Sequence, residues 1–336
     1  MVEFGYALSS EEHAPTDLVR HARLAEDAGF TFALISDHYH PWVDAQGQSP
    51  FVWAVIGGIA QATERLRLGT GVTCPTVRVH TAIVAQAAAT AAAMMPGRFV
   101  LGVGTGENLN EHILGDRWPE QTVRAEMLEE AVAVIRLLWQ GGNRSHHGRH
   151  YTVENARVYT LPKDPTPIYV AAAGSSAAEL AGRLGDGLIS TAPDAKIVQT
   201  FERAGGSGKP RYAQATVCWA QDEASARKTA HRLWAFSSLP GELSQELPTP
   251  AHFEQGAQVI TEEMVAKSVV CGPDPARHVE NIQQCIDAGF DHVYVHQIGP
   301  DQEGFMRFYQ REVLPRLRQP LPMVSDVSAE ASVAGA

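Results

Sequence analysis

Basic residues are scarce in this sequence. Lys and Arg number 27 against 38 Asp and Glu, a formal charge of −11. The chain therefore lacks the positive footprint that nucleic acid or an anionic membrane surface requires. Long apolar runs are missing as well. None reaches the roughly 18 residues that cross a bilayer. The Ala-rich stretch from Thr81 to Met95 is short and interrupted by Gln86, so it is expected to be a buried helix. Residues Met1 to Tyr6 carry no basic or apolar leader, and a cytoplasmic location is expected. Cysteine is sparse. Cys74, Cys218, Cys271 and Cys285 form no CxxC pair and have no His or Cys at finger spacing. That argues against a zinc site or a disulfide framework and for buried, reduced thiols. His146, His147 and His150 have no acidic cluster beside them, so no metal is expected. No strand-like run leads into GxGxxG with a later ribose acid, which argues against a Rossmann dinucleotide site.

What is present is globular. With 44% hydrophobic and 19% charged residues, the 336-residue chain can bury a sizeable core. Short apolar runs alternate with helical segments from end to end. Strands are expected at Phe4–Leu8, Phe32–Ile35, Leu66–Val72, Phe99–Val103, Ile168–Ala171, Gly187–Ser190, Arg211–Ala220 and His292–Val295. Helices are expected at 51–63, 82–95, 124–139, 177–184, 223–234, 274–288 and 303–314, besides one around Leu18–Ala25. About eight β-then-α units without a composition break predict an α/β fold, a single (β/α)8 TIM barrel. Two segments exceed a minimal barrel. Gly141 to Leu161 is expected to be a β-hairpin insertion, with strands at Tyr151–Val153 and Val158–Thr160. Ser237 to Glu263 is expected to be a late helical excursion or lid. Residues 1–320 are assigned to the barrel domain and 321–336 to a flexible tail.

In such a barrel the residues just past the strand C-termini face the active site. The second strand runs into Ser36-Asp37-His38-Tyr39-His40-Pro41-Trp42. There His38 can exchange a proton near neutral pH, and Trp42 offers a flat wall. The fourth runs into Gly104-Thr105-Gly106-Glu107-Asn108-Leu109-Asn110, where glycines let backbone approach a ligand and Glu107 supplies a carboxylate, unless this is only a helix-capping turn. The third leads to Gly71-Val72-Thr73-Cys74-Pro75. The fifth leads to Ala172-Ala173-Gly174-Ser175-Ser176 at a helix start, either an anion site or an ordinary Ser cap.

These residues, with Leu68–Val72, Pro96–Glu111 and Ala181–Gly187, resemble the bacterial luciferase-like superfamily. Within it the chain is similar to the branch containing the F420-dependent glucose-6-phosphate dehydrogenases. The resemblance runs from about Gly5 to Leu317. It implies a barrel, usually a homodimer, that binds coenzyme F420 at its mouth and acts on a small molecule. It implies that His38 and Glu107 are proton-transfer partners and that Trp42 borders the reaction centre. Asp37, Thr105, Gly106 and Asn110 match cofactor-contacting positions. Ala173, Gly174, Ser176 and Ala177 match the stretch that holds its phosphate end. A non-proline cis peptide is implied at Gly71–Val72. A family Thr is Cys74 here.

The resemblance further implies that glucose-6-phosphate-specific relatives gather two lysines and an arginine around the substrate phosphate. In this chain the first lysine, just after Thr191, falls at Asp194, with Lys196 two residues on. The second is kept as Lys267. The arginine falls within Asp301–Phe305, where there is none. An unphosphorylated alcohol, sugar or ketone is therefore the expected substrate. A sugar phosphate, or an FMN-dependent monooxygenase activity, is the alternative.

Overall fold

The computed structural model describes residues 2–318. The segment assigned above to a tail lies outside the described residues. The strands alternate with helices as the apolar runs dictate: β1 (Glu3–Leu8), α1 (Pro15–Ala28), β2 (Phe32–Ile35), α2 (Val52–Ala62), β3 (Arg67–Thr70), α3 (Thr81–Met94) and β4 (Phe99–Val103). A short α4 (Asn108–Glu111) and the long α5 (Gln121–Leu138) follow. After the hairpin β5 (Arg144–His147) and β6 (Thr152–Ala156) come β7 (Ile168–Ala171), α6 (Ser175–Leu184), β8 (Gly187–Ser190), α7 (Ala195–Phe201) and β9 (Arg211–Cys218). Next are α8 (Glu223–Trp234), α9 (Leu243–Glu246), α10 (Pro250–Ala257), α11 (Glu262–Val265), β10 (Val270–Cys271), α12 (Pro275–Asp287), β11 (His292–Gln297) and α13 (Gln302–Phe308).

Neighbouring strands run β11-β1-β2-β3-β4-β7-β8-β9, all parallel, and β9 pairs back onto β11. The sheet is therefore a closed (β/α)8 barrel. β10 adds two residues beside the C-terminal end of β9. Closure leaves no exposed edge in the barrel itself. Alternate residues point outward under the helices, where Ala33, Ile35, Leu68, Leu101, Val170 and Val293 join one continuous core.

The bore is filled unevenly. Phe32, Leu34, Tyr169, Ile189, Tyr212 and Tyr294 pack together inside it. The wall between β3 and β8 is stripped of side chain at Gly102, where a Cβ would lie 2.0 Å from the Thr70 carbonyl oxygen and 2.9 Å from Ile189 Cδ1. Only glycine fits there.

Three expectations are corrected. The third strand ends at Thr70, not Val72, because a cis peptide joins Gly71 to Val72 and breaks the ladder geometry. The hairpin pairs residues 144–147 with 152–156 rather than 151–153 with 158–160; His147 faces Thr152, and the register shifts between Arg144 and His146. A helix, α7, occupies 195–201, which had been left unassigned. At seven residues it is too short to show periodicity.

Candidate active site

β2 and β4 end side by side with one pairing strand between them, so their loops meet at the barrel mouth. Asn110 joins them. Its buried side-chain oxygen accepts from the Tyr39 amide at 2.9 Å and from the His40 amide at 3.2 Å. Its amide nitrogen donates to Glu107 at 3.4 Å. His40 Nδ1 adds a contact of 2.8 Å to the Leu109 carbonyl. The structure thus brings the His38 loop and the Glu107 loop together through Asn110, a residue the resemblance assigned to the cofactor.

Glu107 stands at the N-cap position of α4, yet its side chain caps nothing. The helix-capping reading therefore does not describe it. The carboxylate is half-buried and available to a ligand proton. His38 is more tightly held. Its Nδ1 lies 3.3 Å from the His40 carbonyl and its Nε2 lies 3.4 Å from Glu11 Oε1. Each ring nitrogen thus faces an oxygen, which fixes the orientation of the ring. Glu11 is fixed in turn, since its other oxygen accepts from Ser36 Oγ at 2.6 Å and Ser9 Oγ at 3.0 Å. Glu11 was missed from sequence, although it sits just past the first strand, where the strand-end argument applies equally.

Trp42 lies 5.0 Å, ring to ring, from His38. It stacks on Phe236 at 5.0 Å and meets the edge of Phe253 at 5.2 Å. Both partners belong to the end of α8 and the excursion beyond it, so this segment folds over the mouth. Polar contacts bind it there. Glu254 accepts from the Asp44 amide at 3.0 Å, and the Glu246 carbonyl accepts from Asn108 at 2.9 Å. Arg124 reaches both Glu246 and Gln245.

Beneath the two loops is a buried charge triad. Arg78, 7% exposed, lies 2.9 Å from Asp37 Oδ1 and 3.5 Å from Glu111 Oε1, each acid being 1% exposed. Thr73 donates to the other Asp37 oxygen at 2.8 Å. Asp37 is therefore fully engaged inside the protein. One cation between two acids leaves a negative surplus. Burial above all, with Glu107 and Asp37 nearby, pushes the Glu111 carboxyl up to about 7, against the pull of Arg78. The folded-state value exceeds the unfolded one, so this group's contribution to stability is complete below about 4.5 and is lost as pH rises through about 7. That contribution is on the order of 3 kcal/mol. Glu111→Gln should consequently flatten the decline of Tm between pH 5 and pH 8 in thermal unfolding. Parallel declines in variant and wild type would contradict the assignment.

A shallow cradle adjoins these groups. Gly106 has φ +79°, and a Cβ there would sit 2.5 Å from Cys74 Sγ. A Cβ on Gly104 would sit 2.8 Å from Val72 Cγ2. Cys74 is buried, contacts Thr76 Oγ1 at 3.0 Å, and has its thiol pushed well up by burial. Thr105 is half-buried between the two glycines. At the end of β7, α6 begins with Gly174 as its N-cap and no side-chain cap, so the ordinary Ser-cap reading fails. Ala173, Gly174 and Ser176 are exposed there and Ala177 is half-buried, which leaves first-turn amides open to an anion.

Thr191 and Lys267 are both exposed, and neither side chain makes a hydrogen bond or ion pair among the described residues. Asp194 caps α7 by accepting from the Lys196 amide at 2.8 Å. Glu303 pairs with Arg20 and lies 3.7 Å from Arg307. Asp194, Glu303 and Asp301, which accepts from the Gly304 amide at 2.8 Å, thus each have a partner within the chain. No His, Cys, Asp and Glu cluster fit for a metal occurs among the described residues. No described helix is long and apolar enough to cross a membrane.

Known proteins resemble the chain over nearly its whole length. The chain is 37% identical over 330 residues to an F420-dependent glucose-6-phosphate dehydrogenase of Microbacterium testaceum (strain StLB037), covering 95% of this chain and 98% of that one. It is 38% identical over 329 residues to the enzyme of the same description from Nakamurella multipartita, covering 94% and 97%. An F420-dependent secondary alcohol dehydrogenase, solved with an F420-acetone adduct, superposes with a TM-score of 0.88 at 29% identity, covering 95% and 99% of the two chains. Residues 1–292 match the family described as luciferase-like monooxygenase, and the chain belongs to that family.

Proposed function

We propose that this chain is an F420-dependent oxidoreductase that oxidises an unphosphorylated secondary alcohol or sugar-like hemiacetal, or reduces the corresponding carbonyl. The observation that carries the reading is the meeting of the His38 loop and the Glu107 loop at one mouth through Asn110, with Glu107 held only weakly. The glycine cradle at Gly104 and Gly106 and the open N-terminus of α6 fit a flat ring with an anionic arm. Gly71, Val72, Cys74, Thr105, Gly106 and the 173–177 stretch would hold it. Asp37 and Asn110 would act by fixing the loops that surround it. When bound, F420 supplies a two-electron hydride acceptor or donor. The protein's own work is proton transfer and placement. Glu107 Oε takes the substrate hydroxyl proton. His38, its ring fixed by Glu11 and the His40 carbonyl, is the second proton-transfer group at the mouth. Trp42, Phe236 and Phe253 exclude water and present a flat apolar wall.

A sugar-phosphate substrate is the second reading, favoured by the described activity of the relatives and by the retained Lys267. Two of three expected cations are missing. Since Asp194 and Glu303 are already engaged, the effect rests on lost attraction rather than on added repulsion. Loss of two partly exposed cations corresponds to roughly 10² in affinity. F420 reduction should therefore be robust with an unphosphorylated secondary alcohol and should not saturate at micromolar glucose 6-phosphate. The reverse pattern, read at the deazaflavin absorbance band, would replace the first reading with the second. Perturbation of the FMN spectrum and not that of F420 would remove both.

A further inference from the structure

Two consecutive carboxylates follow β1, and each reaches a different histidine. Glu11 meets His38. Glu12 Oε1 lies 3.4 Å from His296 Nε2, with side chains only 3% and 4% exposed. The other Glu12 oxygen accepts from the Gly299 amide at 3.0 Å. Burial pushes the Glu12 carboxyl up, but His296, His13 and that amide outweigh it and hold it below its usual range. His296 is the penultimate residue of β11. Strand alternation puts it on the same face as Tyr294, inside the bore, at the end where this fold conducts chemistry. Neither ring nitrogen completes a hydrogen bond among the described residues. Nε2 still faces the Glu12 carboxylate, so Nδ1 is the buried atom left without a partner, and such an atom is satisfied by water or by a ligand.

Aromatic rings connect the two histidines. His38 touches Trp42 at 5.0 Å, Trp42 stacks on Phe236 at 5.0 Å, Phe236 meets Trp234 at 4.7 Å, and Trp234 meets His296 at 4.5 Å. The adjacent glutamates close the circuit on the other side. The two histidines are thus linked by an aromatic relay on one side and by adjacent glutamates on the other, at the same end of the barrel.

We propose that His296, held by Glu12, is a specificity-determining residue that hydrogen-bonds a second oxygen of the substrate. The site then prefers a vicinal diol, polyol or hydroxyketone over a monohydric alcohol. The proposal rests on the alcohol-oxidation reading above. An apolar wall separates substrates that differ by a methylene only weakly. A buried polar atom that one substrate satisfies and another leaves unpaired separates them strongly. With Nε2 turned to the Glu12 carboxylate, Nδ1 is the atom left to the substrate, and it accepts from a hydroxyl. The carboxylate behind it disfavours a phosphate at the same place.

The test compares 2,3-butanediol with 2-butanol, which differ by one hydroxyl, on the F420-loaded enzyme. His296→Phe should raise KM for the diol by about 10–100-fold. KM for 2-butanol should move less than about twofold, and kcat should stay near wild type. Equal shifts for both alcohols, or none, would overturn the subsite. Folding of the variant is checked by circular dichroism, and a second measurement needs no variant turnover. The ring nitrogen-15 resonances of His296, assigned by their change in Glu12→Gln, should move when the diol is added to wild type and stay when 2-butanol is added. Unmoved resonances with the diol would also overturn it. Moved resonances without F420 reduction by either alcohol would leave the subsite standing and refute the alcohol-oxidation reading.

Discussion

Glu107→Gln should lower kcat by about 10²–10⁴ on a verified substrate, the usual size of general acid–base catalysis. His38→Ala should fall in the same range, and affinity for F420 should change much less in both. The two losses have different origins. Glu107 has one weak internal partner, Asn110 at 3.4 Å, so its replacement removes a proton acceptor and disturbs little else. His38 is tied to Glu11 and to the His40 carbonyl, so its removal also strips one oxygen of a buried carboxylate of its partner. Stopped-flow measurement of F420 reduction under single-turnover conditions reads the chemical step directly. Near-wild-type rates in both variants would end the assignment.

Gly102→Ala should be the most damaging small substitution in the barrel. Its new Cβ would sit 2.0 Å from a backbone oxygen on β3, an atom that cannot rotate aside. In an open sheet two strands could splay. In a closed barrel the displacement must pass around the whole ring of strands. The cost should reach about 3 kcal/mol or more, a large share of a stability of roughly 5–15 kcal/mol. Urea unfolding should show a lower midpoint with an unchanged m-value, or the protein should accumulate insoluble. Gly97→Ala is the control. Unlike Gly102, it has a left-handed backbone, φ +71°, and nothing within 4 Å of the added carbon, so it should cost only about 1 kcal/mol. Equal losses for the two would show that the close approach at Gly102 is relieved at little cost.

The barrel was legible because each strand is an apolar run with its own boundary signals, and the strand ends named His38, Trp42 and Glu107 by position alone. Legibility failed where a residue's role is set by distant partners. Glu11 lies in a polar stretch indistinguishable from a surface loop, and only Ser36, 25 residues on, and His38 reveal that it is buried. Arg78 and Glu111 come from different loops and form a triad that neither loop announces. The hairpin register failed for a related reason. Tyr151 is pinned by its hydroxyl to the Thr76 carbonyl, 75 residues earlier, so it packs on the barrel rather than opening a strand.

The segment over the mouth has one more consequence. Between α8 and β10 it adds no strand to the barrel; side chains tie its outer part, α9 and α10, to the loops after β2 and β4 and to Arg124 of α5, while Ile260 and Val265 anchor its far end in a buried cluster with α8. Such a unit opens as a local event, well below the free energy of global unfolding. Turnover can then be paced by how often these few contacts release rather than by bond-making at the reacting carbon. Backbone amides of α9 and α10 would exchange with solvent far ahead of those in β2 or β11, and viscosity would slow catalysis even where chemistry is unchanged.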